Sequence, residues 1–179
     1  MDGQGLVENV RGVIDAHLRE TEFKVNNSEI VGGIFVTLNK EGALRGCIGI
    51  PSRGKLGERL KSAAVGVTED PRFPPLKLEE LEEVTVEVSI LTEPMEIESP
   101  KNVVVGKHGI IVRRGFKSGL LLPQVPVDQG WTLEEYLNYG CIKAGLPQEA
   151  WKDSKTQIFV FEAKVFEETS PKGNVKQIM

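Results

Sequence analysis

The chain has 179 residues, with 22 Lys+Arg against 26 Asp+Glu and a formal charge of −4. Apolar residues make up 40%, about half once the 19 Gly are added, which excludes a disordered chain. No apolar run approaches the ~20 residues that cross a bilayer, and the length sets one domain as the default.

From the N-terminus, Leu6, Val7, Val10, Val13, Ile14, His17 and Leu18 recur at helical spacing and predict an opening helix with one buried stripe, His17 at its edge. Asn26, Asn27 and Ser28 end it. Ile34–Leu38 and Ala43–Ile50 read as strands of a hairpin across the turn residues Asn39, Lys40, Glu41 and Gly42. Leu56, Leu60, Ala63, Ala64 and Val67 predict a second helix, closed by Asp70-Pro71. Glu79, Glu80, Glu82 and Glu83 read as a solvated turn or helix end. Val84, Val86, Val88 and Ile90 alternate with polar residues and predict a half-buried strand.

Asn102–Val105 and Gly109–Arg113 read as two short strands across the turn Gly106-Lys107-His108-Gly109. Leu120–Leu122 is a short buried run stopped by Pro123. Thr132 and Glu135 have capping-box spacing and open a helix that uses Leu133, Tyr136, Leu137, Tyr139, Cys141 and Ala144, ending at Gly145. Ile158–Phe166 predicts one last strand. Trp131 and Trp151 flank helix starts, where aromatic packing is the usual role. Hairpins with helices at irregular intervals point to an α+β fold with a mostly antiparallel sheet flanked by helices.

Cys47 and Cys141 lie 94 positions apart with no paired spacing, so no disulfide framework is implied. The opening MDGQGLVENVRGVIDAHLRE lacks the pattern of a secretory signal. Free thiols and a reducing, cytoplasmic setting are therefore expected. The acidic balance argues against a main role on a nucleic-acid backbone without excluding one. Arg113, Arg114 and Lys117 form a small basic knot at a hairpin tip, whose default reading is a solvated turn. With two Cys and two His and no ligand spacing, no metal is expected. The chain lacks both phosphate-loop and dinucleotide fingerprints, so no cofactor is expected either.

Leu44-Arg45-Gly46-Cys47-Ile48-Gly49 is the most informative segment. On an extended strand Arg45, Cys47 and Gly49 share a face. Two glycines inside a strand need a reason, such as close backbone approach or a ligand surface. A guanidinium roughly 6–7 Å from the thiol favours thiolate by about 2 kcal/mol at an effective dielectric of ~20. Against this, a free Cys often acts as a small hydrophobe, and strand geometry alone favours that inert role. Arg72 reads equally as an anion contact or as a local ion pair with Asp70. His108, between glycines, is a titratable group or a plain turn residue. Gln124, between Pro123 and Pro126, offers an amide to a ligand or to the backbone.

The hexapeptide resembles the signature of the AMMECR-type domain family. The likeness continues through Asp70-Pro71-Arg72-Phe73, Val88–Leu91, Gly106–Gly109, Leu121–Val125 and Lys143–Leu146 followed by Trp151, and the compact length resembles archaeal members. The resemblance implies a single domain over residues 1–179 with a larger sheet-and-helix lobe, a second, smaller lobe and a cleft between them, the hexapeptide near that cleft. Family association also suggests a Memo-like or radical-SAM protein as partner.

The leading functional expectation is an enzyme for a small or nucleotide-like substrate. Cys47, Arg45 and His108 would be catalytic, and Gly46, Gly49, Arg72 and Gln124 would bind substrate. A non-catalytic module that docks a partner protein is the alternative. An RNA-binding or RNA-modification accessory is the third.

Overall fold

A computed structural model describes residues 2–179. In chain order the elements are α1 (Gly3–Leu18), β1 (Ile30–Val31), β2 (Gly33–Lys40), β3 (Ala43–Ile50), β4 (Gly54–Lys55), α2 (Leu56–Thr68), β5 (Val84–Leu91), β6 (Met95–Glu96), β7 (Gly109–Arg114), β8 (Lys117–Leu121), α3 (Val125–Asp128), α4 (Leu133–Lys143), β9 (Gln157–Phe161), β10 (Ala163–Glu168) and β11 (Val175–Gln177). Short 3-10 helices lie at Leu78–Glu82, Pro100–Asn102 and Ala150–Lys152. The α+β architecture with antiparallel sheets flanked by helices is the one the sequence predicts. Residues up to Leu91 together with Lys164–Met179 form unit 1, and Thr92–Ala163 form the smaller unit 2.

In unit 1 the strand order is β11-β10-β5-β2-β3, with β2 antiparallel to both β3 and β5. Glu41 and Gly42 make the β2–β3 turn with φ of 52° and 78°, the left-handed pair whose twist suits a two-residue hairpin loop. The helices α1 and α2 cover one sheet face. Val10, Ile14, Leu60 and Ala64 pack with Ile34, Val36, Val86 and Val88 in one core, each large apolar side chain contributing roughly 1.5–3 kcal/mol by leaving water. Arg11 of α1 ties this layer down. Its Nε and Nη2 donate to Glu168 at 2.7 and 2.6 Å, its Nη1 donates to the Leu81 carbonyl and its Nη2 to that of Val84.

Unit 2 has the strand order β6-β9-β7-β8. Ile110, Val112, Ile158 and Val160 pack against Tyr136, Leu137 and Cys141 of α4. The capping box forms as expected: Glu135 accepts from the Thr132 amide at 2.8 Å, and Thr132 Oγ1 accepts from the Glu135 amide. The buried Tyr136 hydroxyl donates toward the His108 carbonyl at 3.1 Å, and burial pushes its phenol well above the usual range.

Five expectations are corrected. Leu120–Leu122 is half-buried rather than a buried run. Asn102–Val105 is no strand: Pro100–Asn102 is a 3-10 helix and turn geometry begins at Val105. The last strand is two, broken at Glu162, with β9 in the unit 2 sheet and β10 in the unit 1 sheet. Tyr139 does not join the α4 core face. It is 44% exposed and stacks on Trp131, ring centroids 4.0 Å apart. The acidic run is more than a solvated end, because Glu80 has a specific partner, described next.

Candidate functional site

The hexapeptide lies on β3, which is the outermost strand of its sheet among the described residues. Its glycines have packing reasons. A Cβ on Gly46 would press on the Val67 side chain and carbonyl at 3.2 Å, so the bare position lets the last turn of α2 lie against the strand. The Phe35 ring lies where a Cβ on Gly49 would be.

That approach of α2 brings Asp70 to the strand edge. Asp70 Oδ2 accepts from the Cys47 amide at 2.8 Å and from Arg72 Nη2 at 2.7 Å. Asp70 Oδ1 accepts from the Arg72 amide and Nε, each at 3.0 Å. Arg72 Nη2 also donates to the Cys47 carbonyl at 3.0 Å. The Asp70–Arg72 pair thus takes both outward backbone groups of Cys47, as a neighbouring strand would. Hydrogen bonds from Arg72, and then from the Cys47 amide, hold the Asp70 carboxyl well below the usual carboxylate range despite its burial.

The two members of this pair differ sharply in exposure. The Asp70 side chain is 1% exposed and that of Arg72 is 57% exposed. The pair is therefore a fixed dipole with its positive end in solvent. Among the described residues no acceptor is bonded to Arg72 Nη1, so part of the guanidinium fork is open.

Arg45 is placed differently from the simple alternation. Leu38 pairs with Gly46 and Asn39 with Leu44, so Arg45 is the extra residue of a bulge. Its Nε and Nη2 bond to Glu80 at 2.9 Å each, and its Nη2 also bonds to the Pro74 carbonyl. Arg45, 13% exposed, is occupied by Glu80, whose carboxyl these bonds pull down to about 2. The Phe73 ring centroid is 6.0 Å from the Arg45 guanidinium and 5.7 Å from that of Arg72.

Cys47 is half-buried, and its Sγ accepts a hydrogen bond from the Thr37 hydroxyl at 3.2 Å across the strand pair. Cys141 is fully buried, and burial pushes its thiol up. Both are free thiols. Arg45, Gly46, Cys47, Gly49 and Arg72 thus come together in unit 1, whereas His108 and Gln124 belong to unit 2.

His108 Nδ1 accepts from the Val104 amide at 3.2 Å, closing its turn. Gln124 precedes α3 without capping it, and its Oε1 is buried with no partner among the described residues. The basic knot is engaged locally: Arg113 lies over Phe159, Arg114 bonds Thr156 and Asp153, and Lys117 bonds the Gly145 carbonyl. Among the described residues no group of three or more His, Cys, Asp or Glu is arranged to hold a metal, and no helix is long and apolar enough to cross a membrane.

Sequence reasoning missed Thr37, the pairing of Glu80 with Arg45 and the contact of Asp70 with Cys47. A findable signal was Asp70 itself, two residues before Arg72, the spacing of an Asx turn.

The family model for AMMECR1 matches residues 7–166. The chain is 51% identical to protein MK0488 of Methanopyrus kandleri over 156 residues, covering 81% of this chain and 75% of that one. It is 50% identical to protein NEQ441 of Nanoarchaeum equitans over 145 residues, covering 76% of this chain and 81% of that one. The crystal structure of the uncharacterised protein PH0010 of Pyrococcus horikoshii superposes with a TM-score of 0.87 at 43% identity, covering 98% of this chain and 95% of that one. With archaeal relatives this similar and a family match across most of its length, the chain belongs to the AMMECR1 family.

Proposed function

We propose that the β3 edge is the substrate site of an enzyme acting on a small anionic, nucleotide-like molecule. Arg72 is the anion anchor, offering its open Nη1 to a phosphate or carboxylate oxygen. Cys47 Sγ is the thiol that meets the substrate beside it. Asp70 is a positioning residue, because one carboxylate fixes both the Cys47 backbone and the guanidinium. Arg45 is reassigned from charge partner to scaffold, since Glu80 takes its fork. The reading requires neither His108 nor Gln124.

The observation that carries the proposal is the asymmetry of the Asp70–Arg72 pair, with a buried anion and an exposed cation against the backbone of a half-buried cysteine. A metabolite screen with purified protein tests it. Turnover of a nucleotide-like compound is expected for the native chain, lost in Cys47→Ser at unchanged melting temperature, and with KM raised in Arg72→Lys. Full turnover by Cys47→Ser removes the thiol from the reaction.

A non-catalytic module that docks a partner on this edge, such as a Memo-like or radical-SAM protein, is the second reading, supported by β3 being an outer strand. The occupied amide and carbonyl of Cys47 count against it.

A further inference from the structure

The face of the unit 1 sheet turned away from α1 and α2 carries a row of polar side chains that anion binding at Arg72 does not use. Thr37 of β2 pairs with Cys47 of β3 on one side and with Glu87 of β5 on the other. Residues directly opposite in antiparallel strands share a face, with Cβ atoms ~5 Å apart. Cys47, Thr37 and Glu87 therefore stand in line across three strands. Neighbouring strands lie ~4.8 Å apart, so roughly 10 Å separates the backbones of Cys47 and Glu87, with Thr37 between them.

The row is sheltered. Thr37 and Glu87 are half-buried, and Ser89 and Val165 on the same face are buried. Around Glu87 stand the Thr37 hydroxyl on β2, the Ser89 hydroxyl on its own strand and the Glu167 carboxylate on β10, which Lys176 of β11 pairs at 3.4 Å. Burial, and then Glu167, push the Glu87 carboxyl above its ordinary value against the pull of Ser89. A carboxylate on a solvated strand face escapes both influences. This one is kept partly out of water beside the hydroxyl that already holds the Cys47 sulfur.

We infer that Glu87 is the base that takes the Cys47 thiol proton, with the Thr37 hydroxyl as the relay between them. The inference rests on the reading of Cys47 as the reacting thiol, which otherwise lacks a base, since Arg45 is bound to Glu80. Thr37 Oγ1 lies 3.2 Å from Cys47 Sγ. A hydroxyl has one proton and two lone pairs, so with its proton turned toward β5 it accepts from the thiol. Glu87 meets it after a rotamer change away from Ser89, or through one water. The S–H proton passes to Thr37 Oγ1 as the Thr37 proton passes to a Glu87 oxygen. One thiol and one carboxylate become one thiolate and one carboxyl group, and Glu87 later returns the proton to the leaving group.

The test is the pH profile of Cys47 alkylation by iodoacetamide from about pH 5 to 9, with no substrate present and the modified residue identified by peptide mass spectrometry. In the native chain the rate should be level across neutral pH, where Glu87 is ionised and the thiol still holds its proton. In Glu87→Gln the level stretch gives way to a rate that rises about tenfold per pH unit with the thiolate. At the acid end of that stretch the variant is expected to be at least about tenfold slower than the native chain. Thr37→Val should behave like Glu87→Gln, and Thr37→Ser should keep the native profile. Glu167→Gln removes a like charge and should move the acid end of the level stretch to lower pH. Far-UV circular dichroism checks that each variant is folded. Unchanged or faster alkylation of Glu87→Gln at neutral pH would overturn the inference, because a carboxylate that only repels the thiolate slows the native reaction. A native rate that rises about tenfold per unit throughout, or a Thr37→Val profile equal to the native one, would overturn it too. Each of these results leaves the thiol site standing, whereas a Cys47 that is not alkylated in the native fold overturns both.

Discussion

Replacing Asp70 by Asn leaves the volume of the side chain and removes its charge. In the native chain the carboxylate accepts from the Cys47 amide and from three Arg72 donors. A carboxamide has one acceptor oxygen and one NH2, so one side of the substituted group meets two donors with a third. If the NH2 takes the Oδ2 position, the part-buried Cys47 amide is left unpaired, at about 1–3 kcal/mol. The Arg72 end costs less, because a guanidinium 57% exposed regains water, and such a pair contributes about 0–1 kcal/mol. The sum is about 1–4 kcal/mol, or roughly 2–16 °C in Tm for a chain of this size.

The pH dependence has a definite sign. The Asp70 carboxyl is held below its ordinary value of 3.8 by Arg72, so its contribution is complete above that value and is lost as pH falls below it. Urea titrations of native and Asp70→Asn protein at pH 7, 5 and 3 should show one gap at pH 7 and 5 and a narrower one at pH 3. A gap under about 0.5 kcal/mol at pH 7, or one that does not narrow in acid, would refute the clamp.

Other consequences follow from the same geometry. An aromatic disulfide reagent should modify one thiol per native chain, Cys47, and reach buried Cys141 only in denaturant; rapid native modification of both would contradict the burial. Gly49→Ala should lose about 1–3 kcal/mol of stability through collision with the Phe35 ring, measured by thermal melting. Glu168→Gln should lose about 3–5 kcal/mol, since it strands Arg11, itself 12% exposed, beside a neutral amide. Glu80, pulled down to about 2 by Arg45, contributes stability above its ordinary 4.5 that disappears between 4.5 and about 2. Acid titration of Arg45→Met should therefore show a smaller loss across that window than the native chain.

Much of unit 1 was legible because its signals are local. The five α2 residues marked by helical spacing are all buried, and β5 buries Val84, Val86 and Val88 by alternation, which breaks at Ser89, buried, and Ile90, half-buried. The capping box at Thr132 needed only four residues to be recognised. Long-range choices were hidden. Four acids precede Val84, and nothing in their order tells which one meets Arg45, 35 positions away. A bulge adds a residue without altering the composition of a strand, so the displacement of Arg45 from simple alternation had no local mark. The Phe- and Val-rich stretch from Ile158 to Phe166 reads as continuous because both halves are strand-forming, and only the change of sheet separates them at Glu162. Asn102–Val105 has β-branched residues, but Pro100 starts a 3-10 turn that carries the chain past them. In the site, the ion pair of Asp70 with Arg72 was one of two readings of that tetrapeptide. Its grip on Cys47 depends on α2 lying against Gly46, which is a property of packing.

The most direct measurement is the rate of Cys47 alkylation by iodoacetamide with and without a nucleoside monophosphate, in native protein and in Arg72→Ala. An anion seated on Arg72 beside the thiol slows the native reaction saturably and leaves the variant unaffected. Equal rates in the native chain at every concentration of nucleotide, or equal protection in Arg72→Ala, would contradict the assignment of this edge as an anion-binding thiol site.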